Sequence, residues 1–322
     1  MARKETVNTL VALLATFPIV FFLSLLFEGI DRKIHARMQK RIGPPIIQPF
    51  YDFIKLFNKE RIVPVTAASG IFTAVPIIAA AVSILGAAIP IANLIAGTSI
   101  VGDLILVLYL LVMSSVMVMI GGSSSGNPYG AVGFSRKMTM IIAYEIPMLI
   151  SIASLSFNPC FSLAYYDIVS TQIRMKSLLV FTRLSMAVAA ATFLLCIPAA
   201  ADAVPFDISE AKTEIIHGSL IEYGGPYLAL IKLAKAASNF ALTFLAATLF
   251  FYLPVLFEGY VSLGLGGALF LCLVTALIFM LFTITVPRTI FARLKIGQAF
   301  KFYWLIPLAL SMLCVALSIV GL

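Results

Sequence analysis

Charge is what this sequence lacks most. Only 11% of its 322 residues are Asp, Glu, Lys or Arg, against 61% hydrophobic, and the mean hydropathy is +1.08. A soluble domain carries about 25% charged residues, so a soluble enzyme is excluded. Cysteine is scarce as well: Cys160, Cys196, Cys272 and Cys314 are scattered, with no CxxC pair. Iron–sulfur and zinc sites need thiolates at short spacing, so no metal centre is expected in this chain, nor a disulfide framework. The Gly/Ser-rich stretch GGSSSGNPYG (121–130) lacks the Lys-Ser/Thr ending of a phosphate loop and reads as a turn. Neither a solenoid repeat nor an inverted repeat is evident. The net charge of +8 comes without a basic–aromatic platform, which argues against nucleic acid and for basic loops that hold a protein in a membrane.

What is present is a succession of apolar runs of about 20 residues, each long enough to cross about 30 Å of hydrocarbon. They predict an all-α, polytopic integral membrane protein, 1–322, with eight spanning helices near 7–30, 70–92, 104–122, 139–158, 177–201, 235–256, 264–286 and 303–321. The first begins after a basic start, but its apolar run continues to about Ile30 without a small-residue cleavage site, so a retained helix is expected. Four polar connections, at about 31–66, 122–138, 202–234 and 287–302, alternate with short or weakly charged ones near 93–103, 159–176 and 257–263. The four, with Lys235 at the edge of the third, hold 17 of the 22 Lys and Arg. The positive-inside rule then puts the long connections in the cytoplasm and both termini outside. Within the first connection, PFYDFIKLFNKE has the spacing of a short interfacial helix with Asp52, Lys55 and Lys59 turned to water.

The chain has 14 acidic residues, and five of them (Asp202, Asp207, Glu210, Glu214 and Glu222) fall in one short stretch. Asp207 and Glu210 have capping-box spacing. A helix starting there would put Glu210, Glu214 and His217 on one face, with Glu222 close to the start of the sixth span. A solvated loop helix with its acids facing water fits this pattern as well as a chemical role does. Glu145 lies well inside the fourth span, two residues before Pro147. An ionisable group there costs about 2.5–3.5 kcal/mol on insertion scales, so it generally faces a cavity or a partner. Proton handling is the preferred reading, against a plain interhelical hydrogen bond. Asp103, Arg183 and Glu28 sit nearer the ends of spans and read as anchors, with Arg183 snorkelling outward from the fifth helix.

The loop EGIDRKIHARMQKRIGPPIIQPFYDFIKLFNKE (28–60) resembles the first cytoplasmic loop of the membrane subunit shared by respiratory complex I and the membrane-bound nickel–iron hydrogenases. The matching residues are Asp31, Arg32, Lys33, Ala36, Arg37, Gln39, Arg41, Gly43, Pro44, Gln48, Pro49, Asp52, Lys55, Leu56, Lys59 and Glu60. PFDISEAKTEI and the following EYGG resemble the family's second hallmark, and Ala143-Tyr144-Glu145 its motif on the fourth span. The resemblance covers nearly the whole chain. Only PIIQP follows Gly43-Pro44, where complex I has a longer segment, and Ala203 stands where complex I commonly has Arg. These departures, with NPYG at 127–130, resemble the archaeal hydrogenase-type or sulfane-reductase-type branch. Lys212 stands where an acid is frequent.

This resemblance implies a membrane-anchor and coupling subunit of an oxidoreductase complex, with no redox centre of its own. Loop 31–66, through Arg32, Arg37, Gln39, Arg41, Gly43, Pro44, Gln48, Pro49, Asp52 and Lys55, would dock the peripheral arm. Glu145, Asp207, Glu210, Glu214 and Glu222 would form the start of a proton or coupling path, with 202–234 as the coupling loop. Implied partners are hydrogenase-like large and small subunits, an iron–sulfur ferredoxin-like subunit, antiporter-like membrane subunits and the bilayer, with ferredoxin as donor. Iron–sulfur clusters and a nickel–iron centre would belong to those partners. The alternatives are a sulfane-sulfur reductase, a quinone-reducing complex I-like dehydrogenase and, from another class, a free-standing ion-coupled transporter.

Overall fold

The computed structural model describes residues 2–99, 103–157, 162–257 and 264–321; the side chains of 2–10 and 212–213 also lie outside the description. Cys160, the pairing of Lys212 and the side chains of Arg3 and Lys4 therefore fall outside the described residues. All regular structure among the described residues is helical. In chain order the first helices are α1 (Ala2–Met38), α2 (Gln48–Phe57), α3 (Ser69–Ala96), α4 (Asp103–Ser124), α5 (Pro128–Ala153), α6 (Tyr165–Met175), α7 (Leu179–Thr182) and α8 (Leu184–Ala200). Then come α9 (Lys212–Ile215), α10 (Gly225–Phe250), α11 (Pro254–Phe257), α12 (Leu265–Met280), a π-helical turn (Leu281–Thr285), α13 (Val286–Ile290), α14 (Ile296–Leu305) and α15 (Pro307–Val320).

Seven segments are long and apolar enough to cross a membrane: Val11–Met38, Ser69–Ala96, Asp103–Ser124, Pro128–Ser156, Gly225–Phe250, Leu265–Ile290 and Ile296–Val320. The shorter apolar helix α8 stands in the place of the expected fifth span. Its 17 residues reach about 26 Å at 1.5 Å per residue. The chain is thus a multi-pass membrane protein. The span Gly225–Phe250 is the most enclosed, buried on nearly every side, and packs against α1, α3, α8 and α12. The α3–α4 hairpin and the α5–α8–α15 group complete the bundle around it.

Several boundaries differ from those expected. The first helix runs on to Met38, through the charged segment, because nothing breaks it before Gly43-Pro44-Pro45 and Glu28 pairs with Arg32 one turn on. The connection expected at 122–138 shrinks to a tight turn. Asn127 caps α5, its side chain accepting from the Tyr129 amide at 2.9 Å, and Pro128 takes the first helical position. Arg136 and Lys137 are therefore helix residues rather than loop charges. Similarly, α10 starts at Gly225, so Lys232 and Lys235 lie inside it. The fifth span is broken at Arg183, which is extended between α7 and α8 and donates to the Gly321 carbonyl at 3.2 Å instead of snorkelling from a helix.

The face opposite the long connections has its own polar lock. Asp103, expected to reach the interface, is buried; it accepts from Asn93 at 2.5 Å and from the Tyr165 amide at 2.7 Å. Gln172 on α6 donates to the Thr248 and Leu249 carbonyls at 3.1 and 2.9 Å, satisfying the C-terminal end of α10.

Candidate functional site

The polar connections meet on one face of the bundle, and nearly every carboxylate there has a named partner. α2 forms where its spacing predicted, with Lys55 and Lys59 exposed. Its Phe53 packs edge-on to Phe21 of α1 with ring centroids 5.3 Å apart. Asp52, however, turns to protein rather than to water. It accepts from Arg32 at 2.8 Å and from Gln48 at 3.0 Å, and Arg32 also pairs with Glu28. Partial burial works against the Asp52 carboxylate, but these hydrogen bonds outweigh it and hold the group below its ordinary range. Gly29 makes the docking possible: a Cβ there would collide with the Ile46 carbonyl oxygen, so only glycine lets the loop backbone lie against α1. Of the remaining loop residues singled out by the sequence, Pro49 is buried, Gly43 and Pro44 are half-buried, and Arg37, Gln39 and Arg41 are exposed.

The acidic stretch is not a solvated helix. Only Lys212–Ile215 is α-helical, a single turn, followed by a 3-10 turn at Gly218–Leu220, and residues 201–211 run in turns. The expected capping box and shared face of Glu210, Glu214 and His217 do not form, because each acid is drawn to a different element. Asp202 pairs with Lys137 of α5, Glu214 with Arg136 of α5, and Glu210 with Lys235 of α10 at 3.0 Å. Asp207 accepts from Arg293, beyond α13, at 2.8 Å. Glu222 accepts from the Asn127 amide at 2.7 Å. The far end of the loop is clamped at Gly218-Ser219. A Cβ on Gly122 or Gly133 would come within 2.6 Å of Ser219, so two glycines on α4 and α5 admit this backbone between them. Tyr223 completes the anchor, stacking on Phe72 with centroids 4.2 Å apart; burial pushes its phenol up to about 12.

Two of these pairs, Lys137–Asp202 and Lys235–Glu210, face one cavity of about 20 Å³ between α4, α5 and α10, with Ser114, Ser238 and Asn239 in its wall. That is room for about one water. Asp207 lies beside this group: burial pushes its carboxyl up to about 6, Lys235 and Arg293 opposing and Glu210 adding to the shift. Glu145 is half-buried on α5 and makes no hydrogen bond or ion pair among the described residues. It adjoins Tyr144, which is buried and bonded to Ser115 of the cavity wall. The structure therefore joins four of the five predicted carboxylates to neighbouring elements through direct bonds, and Glu145 is not among them.

Sequence reasoning missed the cations. Arg136, Lys137, Lys235 and Arg293 were counted as basic loop charges, although each lies in or next to a span that faces an acid. Asp31 was missed as well: it is buried, accepting from Thr285 at 2.5 Å and Arg288 at 3.2 Å. No group of three His, Cys, Asp or Glu side chains able to hold a metal occurs among the described residues.

A bundle of membrane spans that gathers paired carboxylates at one face defines a membrane subunit with a charged loop surface. The comparisons give the family. A family model described as NADH dehydrogenase matches residues 10–319, and the chain belongs to that family. The NADH-quinone oxidoreductase H subunit of Thermomicrobium roseum is 33% identical over 309 residues, covering 89% of this chain and 88% of that one. Hydrogenase-4 component C of Escherichia coli is 30% identical over 240 residues, 74% of each chain. Among solved structures, a chain of the membrane-bound sulfane sulfur reductase, an archaeal respiratory membrane complex, superposes with a TM-score of 0.83 at 29% identity, covering 96% of this chain and 99% of that one. These relatives are membrane subunits of complex I-like and hydrogenase-like oxidoreductase complexes.

Proposed function

We propose that this chain is the membrane-anchor and coupling subunit of a hydrogenase-type respiratory complex, linking ferredoxin-driven redox chemistry in a peripheral arm to proton or sodium translocation. The observation that carries the reading is the acidic loop. Its carboxylates are tied one by one to cations and an amide from α5, α10 and the segment after α13, and two of the pairs face a water-sized cavity. A proton gained or lost by one member of such a set changes the charge felt by its neighbours, most strongly around the enclosed Lys137–Asp202 pair. Redox chemistry at a docked partner then acts on the membrane through this loop. The exposed Arg37, Gln39, Arg41 and Lys55, together with the α2 unit held by Arg32 and Asp52, form the docking surface for hydrogenase-like and ferredoxin-like iron–sulfur subunits. Antiporter-like subunits take up the path beyond Glu145. On this reading the loop face is cytoplasmic, both termini are outside, and the clusters and any nickel–iron centre belong to the partners.

A second reading has its own support. The sulfane sulfur reductase chain matches almost end to end, whereas the NADH-quinone oxidoreductase relatives are covered over 84–88% of their length. A sulfur-reducing complex would use the same coupling element with a different acceptor. The test is to isolate the intact complex through a tag on this chain. Nickel with viologen-linked hydrogen evolution supports the hydrogenase reading. Iron–sulfur clusters with polysulfide reduction and no nickel support the second. A chain that purifies alone or as a homo-oligomer removes both and leaves a transporter. In reconstituted vesicles, Glu145→Gln is expected to assemble and lose ion translocation; full coupled activity in the assembled variant removes Glu145 from the path.

A further inference from the structure

From residue 259 to residue 322 the sequence contains no Asp or Glu, and its only Lys and Arg there are Arg288, Arg293, Lys295 and Lys301. All four lie where two spans meet. Leu265–Ile290 ends and Ile296–Val320 begins with only the extended segment 291–295 between them. So short a link keeps both span ends at one depth, that of the lipid headgroups. Its inner side is tied to the acidic loop: the Leu294 amide donates to the Pro205 carbonyl at 3.1 Å, and Arg293 pairs with Asp207. Arg288 pairs with Asp31. Two acids thus offset two of the four cations. Lys295 and Lys301 are exposed and make no ion pair among the described residues.

The outward side is apolar directly beneath this excess charge. Trp304 and Leu305 follow Lys301 at i+3 and i+4 on α14, and so share its face one turn further along the span. At 1.5 Å per residue, Trp304 lies about 4.5 Å deeper than Lys301. It is the single Trp of the chain, is exposed, and stacks on Phe300 with centroids 5.3 Å apart. Ile290 and Phe291, at the end of the other span, are exposed as well. A cation at headgroup depth, an indole at the interface and aliphatic side chains below is the order in which a span meets lipid. A water-soluble partner seated on the two lysines would leave Trp304 and Leu305 uncovered, whereas a lipid covers all four residues at once.

We propose that the 291–295 elbow and the Lys301–Trp304 face of α14 form a binding site for an anionic phospholipid. Lys295 and Lys301 supply the charge that attracts the phosphate, and Trp304 and Leu305 the surface on which an acyl chain lies. A zwitterionic lipid brings no net charge to offset the two lysines, so the site selects by headgroup charge. It stands independently of the coupling function proposed above.

The test uses the intact complex, purified through a tag on this chain and stripped of loosely held lipid in mild detergent. A photoactivatable phosphatidylglycerol is added below saturation, and crosslinked peptides are mapped by mass spectrometry. Labelling is expected within 290–305, displaced by unlabelled phosphatidylglycerol and not by phosphatidylcholine. Lys295→Gln and Lys301→Gln should each lower the yield there about fivefold, and the double variant about 25-fold. Lys295→Arg with Lys301→Arg should keep it, because charge is what the site requires. Labelling elsewhere on the complex should stay constant in every variant, which separates loss of the site from failure to assemble; the single variants decide the matter if the double one does not assemble. An unchanged yield in the assembled variants, or equal displacement by phosphatidylcholine, overturns the site. Displacement by glycerol phosphate as readily as by lipid makes it a free-phosphate site and overturns it too. An image of the intact complex in which an acidic partner subunit covers Lys295 and Lys301 has the same effect.

Discussion

The pair formed by Lys137 and Asp202 allows a quantitative prediction. Their side chains are 5% and 11% exposed, the most enclosed ion pair described, and they line the cavity beneath the acidic loop. Removing one partner of a buried pair leaves an uncompensated charge and costs about 3–5 kcal/mol, whereas replacing both with neutral groups is often close to neutral. Lys137→Met keeps the stem and removes the charge. Asp202→Asn keeps the shape and suits the left-handed backbone at that position, where φ is 49°. At about 2 °C per kcal/mol, Lys137→Met alone should lower the apparent melting temperature of the purified complex by about 6–10 °C. The double variant should regain more than half of that loss. The assay is loss of the intact complex on size exclusion after heating at one fixed rate, since membrane complexes unfold irreversibly and the rate sets the midpoint. If the losses of the two single variants simply add in the double variant, to within about 0.5 kcal/mol, the charges do not interact and the pairing is refuted.

Two further predictions follow from the same loop. With Asp207 pushed up to about 6 from 3.8, the folded state binds more protons than the unfolded state between these values. Its contribution to stability is therefore largest below about pH 4 and declines as pH rises to about 6, by about 3 kcal/mol at most. Asp207→Asn, which does not ionise, should gain on the wild type over that window, and an infrared carboxyl band titrating near pH 6 should vanish in it; a band titrating near pH 4 would count against the burial. Gly133→Ala places a Cβ 2.6 Å from the Ser219 amide nitrogen, and overpacking of this kind costs about 1–3 kcal/mol. Amide exchange over 207–222 should accelerate in that variant, and unchanged exchange would mean that the glycine clamp does not hold the loop.

The bundle was legible in the sequence because hydropathy needs only a window of composition, and neighbouring residues in that window share one environment. The short helix α2 was legible for the same reason: its Phe50, Phe53 and Phe57 lie within two turns of each other. What escaped was every feature set by contacts distant in the chain. Lys137 and Asp202 are 65 positions apart, and Asp31 and Thr285 are 254 apart. Arg136 and Lys137 read as loop charges because charge was the only local signal, while their effect on structure was to extend α5 towards acids that had not yet been placed. The same cause dissolved the expected helical face of Glu210, Glu214 and His217. A short helix offers each acid a few tenths of a kcal/mol from neighbours along its own face, and a buried partner on another span offers more. Tertiary pairing therefore wins at Glu210, and the loop takes an irregular path to reach Lys235.

That outcome bears on why a chain with 14 acidic residues concentrates five of them within 21 positions. Acids facing water would be independent of one another at distances beyond about 10 Å, screened by salt. Acids tied to α5, α10 and the segment beyond α13 are not independent, because moving the loop or neutralising one carboxylate leaves a cation in another helix without its counter-charge. Lys235 connects the set most directly, since it pairs with Glu210 and opposes the upward shift of Asp207. Glu210 and Lys235 act on Asp207 in opposite senses, the acid raising and the cation lowering its proton affinity. On the proposed coupling function, a set tied in this way would pass a change of charge at one carboxylate to the next.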